Sequence, residues 1–465
     1  MNPTTHSPVR RLAAAAASLL LLTTACSTES TDISSAAAVV AASDTDATIA
    51  SAGDSSATIE TTSADAAGRS TSSTLFDSSV VHDVVVTFDD GDYAEMLATF
   101  ASTGDKEWIE ATITIDGATY EQAGIRLKGN SSLFGLSADT AEDPSSLPWL
   151  IQLDEFVDGQ HHDGVTDLVI RSNSTETAIN EAVALELLEA AGLATQQAIA
   201  VSFTVNETTE LRLAIEHPDD IWEAAYFDSD DGALYKADSE GDYSYRGDDP
   251  DAYDDVFDQK AGDDDLDPLI EFLDFINNAD DATFSTELAE RLDVEAFATY
   301  LAMQELVGNF DDIDGPGNNS YLHLDGETGQ FTVVNWDLNL AFGTSNVNGG
   351  PGGAGGRGGR PGAGVDGVAA TQGDRPARPE GLAGGPGGGG PNGGSNVLVE
   401  RFLADDDFAA LYDATMAELT SELFDSGLAD ELIDTWVEVL TTEATDLVAA
   451  TTVGADADAI RSWLA

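Results

Sequence analysis

The chain has 465 residues, of which 86 are acidic and 18 basic, so its formal net charge at pH 7 is −68. Nucleic acid and anionic lipid would repel a surface of this charge, which excludes unassisted binding to either of them. With Cys26 as the single cysteine, the sequence offers no disulfide within the chain.

Residues 1–26 have the pattern of a lipoprotein signal peptide. Two arginines, Arg10 and Arg11, precede an apolar run over residues 12–22, and Thr-Thr-Ala-Cys at 23–26 resembles a lipoprotein processing box. The apolar run is too short to span a bilayer. We therefore expect a lipid anchor at Cys26 on the extracytoplasmic face of the cell membrane. An ordinary signal peptide that releases a secreted protein is the alternative.

Residues 27–74 consist mainly of Ser, Thr, Ala and Asp with almost no aromatic residues. Such a composition buries too little apolar surface to offset the entropy of the chain, so it predicts a disordered tether. The folded domain is expected to start at residue 75. Its first part runs to residue 347, and a Gly/Pro-rich disordered insertion at 348–396 separates it from a helical part at 397–465.

The first half of the folded part is dominated by strand patterns. Strands are predicted at residues 80–88, 108–115, 120–128, 148–153, 167–172, 198–205 and 210–216, and helices at 92–100 and 177–191. The helix at 177–191 is predicted to be amphipathic, because Ile179, Val183 and Leu187 recur at helical spacing. Together these elements predict an antiparallel, β-rich N-terminal lobe, with residues 234–236 as a hinge strand.

One strand in this lobe ends at Lys128 and continues into Gly129, Asn130 and Ser131. Glycine and small hydroxyl residues after a strand form sharp turns that can present backbone N–H groups to phosphate oxygens. The residues alone leave two interpretations open, a plain β-turn and a phosphate-facing loop.

The second half is mostly helical in pattern. Helices are predicted at residues 269–278, 285–306, 399–403, 408–423, 428–449 and 457–464, whereas the Asp- and Tyr-rich residues 238–267 read as a solvated loop. The predicted fold class is therefore α+β, with a β-rich N-terminal lobe, a mostly helical C-terminal lobe and a cleft between them.

The candidate site begins where the helix at 285–306 ends. Residues 308–321 form a Gly/Pro turn crowded with carboxylates and carboxamides, which suits a hard cation. Strand patterns at 321–324 and 331–336 flank a turn and predict a β-hairpin that returns Asp337 towards Asn319. Two oxygen ligands would then converge on one ion.

The order of these residues matches a phosphoryl-transfer site. In protein kinases an Asp is followed five residues later by an Asn, then by a hairpin and a metal-binding Asp. Here Asp314 lies five residues before Asn319, and Asp337 lies eighteen after it. This predicts Asn319 and Asp337 as Mg²⁺ or Mn²⁺ ligands and ATP as the phosphoryl donor. The spacing selects Asp314 as the catalytic Asp that orients the attacking hydroxyl or accepts its proton, with Asp312 as an alternative. A structural cation site is the alternative.

Three blocks around this site carry a family resemblance. They are Asn309-Phe310-Asp311, Asn318-Asn319-Ser320-Tyr321-Leu322 and Asn335-Trp336-Asp337-Leu338-Asn339-Leu340-Ala341-Phe342-Gly343. With Gly124-Ile125-Arg126-Leu127-Lys128-Gly129-Asn130-Ser131-Ser132 upstream, the sequence resembles the spore-coat protein H (CotH) kinase family, an atypical kinase-like group of secreted and surface proteins. The resemblance implies a protein-kinase-like, two-lobed fold and transfer of the ATP γ-phosphoryl group to hydroxyl side chains of a surface or coat protein.

The resemblance also implies roles for single residues. Its Asn-aromatic-Asp pattern selects Asp311 as the catalytic Asp, and it gives the loop from Lys128 to Ser131 a nucleotide-facing role. A kinase-like helix supplies a Glu that pairs with the phosphate-binding Lys, for which Glu181 is the candidate. The family's Lys before the Pro-Trp strand is missing near Ser146, which favours the alternative of a non-catalytic pseudokinase or a cation-dependent surface-binding lipoprotein.

Overall fold

The computed structural model describes residues 75–129, 131–133, 136, 143–227, 232–238, 241–314, 319–344 and 396–465. All of them lie within one compact unit that extends over residues 63–465. The predicted signal peptide, the lipid-anchor residue Cys26, the tether and the Gly-rich insertion up to residue 395 lie outside the described residues.

Seven strands close into a barrel. Their order around the barrel is β1 (Val81–Phe88), β2 (Ile109–Ile115), β3 (Ala118–Leu127), β4 (Trp149–Gln152), β5 (Asp167–Ile170), β7 (Thr208–Glu216) and β6 (Ala198–Val205). Six pairings are antiparallel, but β1 and β6 pair in parallel, with Val84 opposite Phe203. The predicted all-antiparallel lobe is therefore wrong at this junction, because the closing pair joins strands that are distant in sequence.

Strand alternation explains the barrel core. In β1 the side chains of Val84, Val86 and Phe88 are buried, whereas the residues between them are half-buried or exposed. The helix α1 (Asp90–Thr103) follows at once; its N-terminus is capped by the Asp89 carboxylate, which accepts from Gly91 N at 2.7 Å. Met96 and Leu97 of α1 join the barrel core.

A second sheet has four strands in the order β11 (Phe331–Asn335), β10 (Ser320–Leu324), β8 (Ala233–Ala237) and β9 (Phe257–Ala261). The predicted hairpin is confirmed: β10 and β11 are antiparallel and pair Ser320 with Asn335. The predicted hinge strand at 234–236 is instead β8, a strand inside this sheet.

The remaining helices belong to the second, larger core, which also contains this sheet. They are α2 (Ile179–Ala190), α3 (Asp220–Phe227), α4 (Asp267–Asn278), α5 (Asp281–Glu287), α6 (Val294–Val307), α7 (Val397–Ala404), α8 (Asp406–Leu419), α9 (Leu428–Glu443) and α10 (Ala450–Leu464). The helical character of residues 397–465 and the mixed α+β class are confirmed. Within the described ranges, no helix has the length and apolar character needed to cross a membrane.

Four local predictions need correction. The helix predicted at 285–306 is two helices, because Asp293 accepts from Ala296 N at 2.9 Å and caps a new start at α6. The solvated loop predicted at 238–267 contains β9 and the buried Tyr243 and Tyr253. The helix α3 was not expected. Finally, α2 is buried on nearly all sides rather than amphipathic, since it lies within the larger core.

The helix α10 contacts three segments that surround the candidate site. Its Asp456 accepts from Thr177 Oγ1 at 2.6 Å, just before α2. Its Trp463 donates from Nε1 to the carbonyl of Leu306 at 3.3 Å, near the end of α6. The Trp463 ring also lies against Gly308 and Gly343, where an added Cβ would collide with it or crowd it.

Candidate functional site

Arg171, Glu181 and Asp337 form a buried ion cluster at the centre of the candidate site. Arg171 follows β5, Glu181 lies in the first turn of α2, and Asp337 follows β11. The Arg171 Nε donates to Glu181 Oε2 at 3.0 Å, and its Nη2 donates to Asp337 Oδ1. One guanidinium thus joins a helix to the segment after the hairpin, a geometry that suits the planar fork of arginine.

The charges of this cluster depend on one another. Burial alone would lower the pKa of Arg171, but the carboxylates of Asp337 and Glu181 raise it, so the guanidinium stays charged. Burial raises the pKa of Glu181 to about 6, with Arg171 opposing the shift and Asp337 adding to it. The cluster therefore has two carboxyl groups for one permanent cation, and it has a local excess of negative charge.

Two hydrogen bonds attach the segment around Asp337 to α2 and to the residues just before β6. Asn180 Nδ2 donates to the carbonyl of Asn339 at 2.8 Å, and Gln196 Nε2 donates to the carbonyl of Asn335 at 3.1 Å. Both contacts fix the chain on either side of Asp337. Asp337 itself has a positive φ of 62°, a conformation that non-glycine residues seldom adopt and that is often found at functional sites.

Asp311 and Asn319 lie next to this cluster. Asn319 Nδ2 donates to the Asp311 carbonyl at 2.8 Å, and both burial and the charge of Asp337 raise the pKa of Asp311. The structure therefore brings Asp311, Asn319 and Asp337 together. Carboxylate and carboxamide oxygens are the donor types that a hard divalent cation prefers.

Asp312 and Asp314 occupy a different environment. Asp312 is buried, and its Oδ1 accepts from Asp314 N at 3.1 Å. Burial and the charge of Asp312 raise the pKa of the buried Tyr300, whose hydroxyl accepts from Ile313 N at 3.3 Å. These contacts give Asp312 a role in shaping the turn. Residues 315–318, which include the rest of the predicted turn, lie outside the described residues.

Lys128 and Gly129 lie at the end of β3. Gly129 has φ of 98°, which requires glycine, and a Cβ there would collide with Ser132. Lys128 is partly exposed, and its Nζ lies 5.2 Å from the centre of the Trp336 ring, directly before Asp337. Asn130 and the side chain of Ser131 lie outside the described residues, so their predicted phosphate contacts stay predictions.

Lys128 does not pair with Glu181. Its Nζ lies 3.1 Å from His217 Nε2, and His217 Nδ1 lies 2.9 Å from Asp167 Oδ2. We refer to these three residues as the Lys128 chain. The predicted partner of Glu181, a lysine, is therefore replaced by Arg171, which is the functional residue that the sequence reasoning missed.

Several basic residues influence the pKa of Lys128. Burial lowers the pKa of Lys128 well below its usual value, and the charges of Arg126, Lys260, Lys236 and Lys106 lower it further. The sequence has only four lysines, Lys106, Lys128, Lys236 and Lys260, so every other lysine contributes to lowering the pKa of Lys128. Burial lowers the pKa of Lys236 to about 8, although the charges of Asp238 and Asp337 oppose this shift, and the effect of Asp337 links this basic group to the ion cluster.

A family model described as CotH kinase protein matches residues 125–452, about 70% of the chain. The chain belongs to the CotH kinase protein family. The match includes every residue placed above in the ion cluster and in the Lys128 chain. Among proteins with curated descriptions, none matches the sequence significantly. For a CotH kinase protein, nucleotide and divalent-metal use is the general expectation.

The missing lysine near Ser146 has a structural counterpart in this CotH kinase protein. Arg212 of β7 reaches that position, and its Nη2 donates to the carbonyls of Ser146 at 2.7 Å and Leu147 at 3.1 Å. Burial lowers the pKa of Arg212 to about 10. Because both contacts are to backbone carbonyls, Arg212 supports the chain before β4.

One group among the described residues has metal-ligand spacing apart from the acidic turn. Ligand atoms of Asp167, His217 and Asp219 lie within 4.8 Å of one another. However, both ring nitrogens of His217 are already engaged, one by Asp167 and the other by Lys128. We therefore assign no metal to this group and treat it as part of the surroundings of Lys128.

Proposed function

We propose that this protein is an ATP-dependent phosphotransferase with a protein-kinase-like, two-lobed arrangement. In this proposal the barrel is the N-terminal lobe, and the second sheet with helices α4–α10 is the C-terminal lobe. The cleft between them would hold the nucleotide. The family supports a kinase-like activity, and the residues described above supply the chemistry.

The observation that carries the proposal is the convergence of the lysines. The chain has 18 basic and 86 acidic residues, so positive charge is scarce. Nevertheless, Arg126 and the other three lysines all lower the pKa of Lys128 through their charges. Like charges repel, so this arrangement costs free energy, although the Asp258 carboxylate offsets part of that cost by pairing with Lys260 at 2.5 Å. A ligand with several adjacent negative charges, such as the triphosphate of a nucleotide, would remove that cost.

The acidic residues of the site complement these lysines, because they could bind the cation that accompanies a nucleotide. Asp337 and Asn319 would hold a divalent cation, and that ion would neutralise charge on the transferred phosphoryl group. The fit rests on the donor set. Burial and, after it, the charge of Asp337 raise the pKa of Asp311, and a bound divalent cation would offset the repulsion between these two carboxyl groups.

Asp311 is the preferred base for the acceptor hydroxyl. A carboxylate with a raised pKa is closer to the pH at which it must accept a proton, which improves general-base catalysis. Arg171 would take the place of the lysine that pairs with the helix Glu in protein kinases, because it alone bonds Glu181 and Asp337 together.

Transfer of labelled phosphate tests the proposal. The purified protein, in high salt with Mg²⁺ or Mn²⁺, is given ATP labelled at the γ position and a generic acceptor protein. We expect label on the acceptor or on the protein itself, and a loss of at least about a hundredfold in Asp337→Asn. Asp446→Asn, an exposed carboxylate between α9 and α10, is the matched control and should label like wild type.

A non-catalytic binding protein is the second candidate. The observation that favours it is the ion pair between Arg171 and Asp337, which already satisfies one oxygen of the proposed metal ligand. A pseudokinase would show an ATP-dependent rise in melting temperature but no label in any variant. No label and no rise would contradict both the phosphotransferase and the pseudokinase, and would leave a cation-dependent surface-binding protein as the candidate.

The acceptor and the location are also proposals. We propose a surface or secreted protein as the acceptor, and anchoring through Cys26 at the extracytoplasmic face of the membrane. The net charge of −68 supports an acceptor that is not nucleic acid. Metabolic labelling with a fatty acid, compared between wild type and Cys26→Ser, tests the anchor.

A further inference from the structure

The Lys128 chain has two arrangements of its protons that give the same total charge. His217 touches Asp167 through Nδ1 at 2.9 Å and Lys128 through Nε2 at 3.1 Å. In the neutral arrangement Asp167 is protonated and donates to Nδ1, and Nε2–H donates to the uncharged amine of Lys128. In the charged arrangement Nδ1–H donates to the Asp167 carboxylate, and the Lys128 ammonium donates to Nε2.

We propose that Lys128, His217 and Asp167 are an internal proton relay that charges Lys128 when phosphate groups enter the cleft. The O–H bond of Asp167 breaks as a proton moves to His217 Nδ1, and the Nε2–H bond breaks as a proton moves to Lys128 Nζ. No proton is exchanged with solvent. His217 and Asp167 are thus positioning residues for Lys128, and the inference rests on the phosphate-binding role of Lys128 in the proposed function.

The groups that face the two ends of the relay favour the neutral arrangement in the empty cleft. Burial and the charges of Arg126, Lys260, Lys236 and Lys106 all oppose a charge on Lys128. At the other end, burial and the charges of Asp219 and Asp154 raise the pKa of Asp167 to about 8, although Lys128 and Arg126 act in the opposite direction. His217 is kept neutral by burial and by Lys128, Lys260 and Arg126.

A polyphosphate that binds in the cleft changes the electrostatic environment only at the Lys128 end of the relay. Its negative charges offset the surrounding lysines and favour an ammonium at Lys128. Because Asp167 supplies the proton through His217, the affinity of the site need not fall as pH rises past the lowered pKa of Lys128. A lysine without the relay would take its proton from solvent, so its affinity for polyphosphate would fall as pH rises past its pKa.

Proton counting by calorimetry tests the relay. Binding of inorganic tripolyphosphate to the full chain is measured in buffers of different ionisation enthalpy, at several pH values between 7 and 9. Asp167→Asn removes the internal proton source, so we expect it to take up about one more proton per bound ligand than wild type. Its affinity should then fall about tenfold more per pH unit than that of wild type. Asp154→Asn removes a nearby charge but no link of the relay, and should count protons like wild type.

Nitrogen NMR of labelled histidine gives a second readout that a merely structural role would not move. The signal of His217 is identified by its loss in His217→Gln. We expect the proton on Nε2 in the free protein and on Nδ1 with tripolyphosphate bound. The same tautomer in both states, equal proton counts in wild type and Asp167→Asn, or no binding of tripolyphosphate would each overturn the relay.

The tests separate the relay from the proposed function. If tripolyphosphate gives the expected proton difference but no labelled phosphate is transferred from ATP, the relay stands and the phosphotransferase activity fails. If label is transferred but the proton counts are equal, the activity stands and the relay fails. Lys128→Arg, whose charge is permanent, should bind tripolyphosphate with equal proton counts in the presence and absence of Asp167→Asn.

Discussion

The ion cluster around Arg171 and the Lys128 chain are both at least partly buried, but their electrostatic surroundings affect the central cation in opposite ways. Arg171 faces two carboxyl groups, and its charge is permanent. Lys128 faces four other cations and a neutral histidine, and its charge is suppressed. Arginine suits a fixed structural link, whereas lysine suits a position where the charge changes with the ligand. The difference shows how one small region can hold rigid and adjustable cations side by side.

The largest expected effect comes from removing the fixed cation. Arg171→Met leaves Glu181 buried beside Asp337 without its partner, so the free energy of unfolding should fall by about 3–5 kcal/mol. Burial and four neighbouring cations already disfavour a charge on Lys128, so Lys128→Met should change the free energy of unfolding by less than about 1 kcal/mol. Urea unfolding at pH 8, where Glu181 would be ionised, measures both. Equal losses in the two variants would contradict the comparison.

A smaller loss of stability is expected when Arg171 is replaced by lysine, which keeps the positive charge but lacks the planar guanidinium. In Arg171→Lys one ammonium cannot reproduce the two directed hydrogen bonds to Glu181 and Asp337, so we expect a loss of about 1.5–3 kcal/mol. The measurement is the same urea titration, with Arg461→Lys as control because its carboxylate partners are exposed. A loss in Arg171→Lys no larger than in the control would show that charge alone holds the cluster.

The smallest effect concerns pH and the Lys128 chain. The pKa of Asp167 is raised to about 8, so the folded state keeps a proton that the unfolded chain releases near pH 4. The folded state thus binds more protons between these values, and stability falls as pH rises. Asp167→Asn should flatten this slope by at most about 1.4 kcal/mol per pH unit. Unfolding at pH 5, 6 and 7 tests it, and an unchanged slope would contradict the raised pKa.

Local patterns in the sequence predicted the parts of the site that lie close together in the chain. The hairpin that carries Asn319 and Asp337 forms as expected because its two strands alternate and a Gly-containing turn joins them. The sequence also predicted the helix that carries Glu181, but it did not predict that this helix is buried on nearly all sides. Alternation and helical spacing are local signals, so they identify elements without their partners.

The missed features depend on long-range contacts. Arg171 meets Asp337, a residue 166 positions later, and no local pattern marks that pairing. The parallel closure of β1 on β6 is equally distant in sequence. The prediction of a lysine partner for Glu181 failed because it assumed the residue type found in protein kinases. The helix α3 and strand β9 were missed because acidic residues hide the aromatic and aliphatic positions that pack inward.

The contacts of α10 impose an order on the assembly of the site. Trp463 and Asp456 support the ends of α6 and α2, and both lie more than a hundred residues after Asp337. During synthesis, the segments with Glu181, Asp311 and Asp337 emerge from the ribosome long before the helix that braces them. A chain still missing α10 would therefore present these carboxylates without their support, and the candidate site would reach its folded geometry only after translation has passed Trp463.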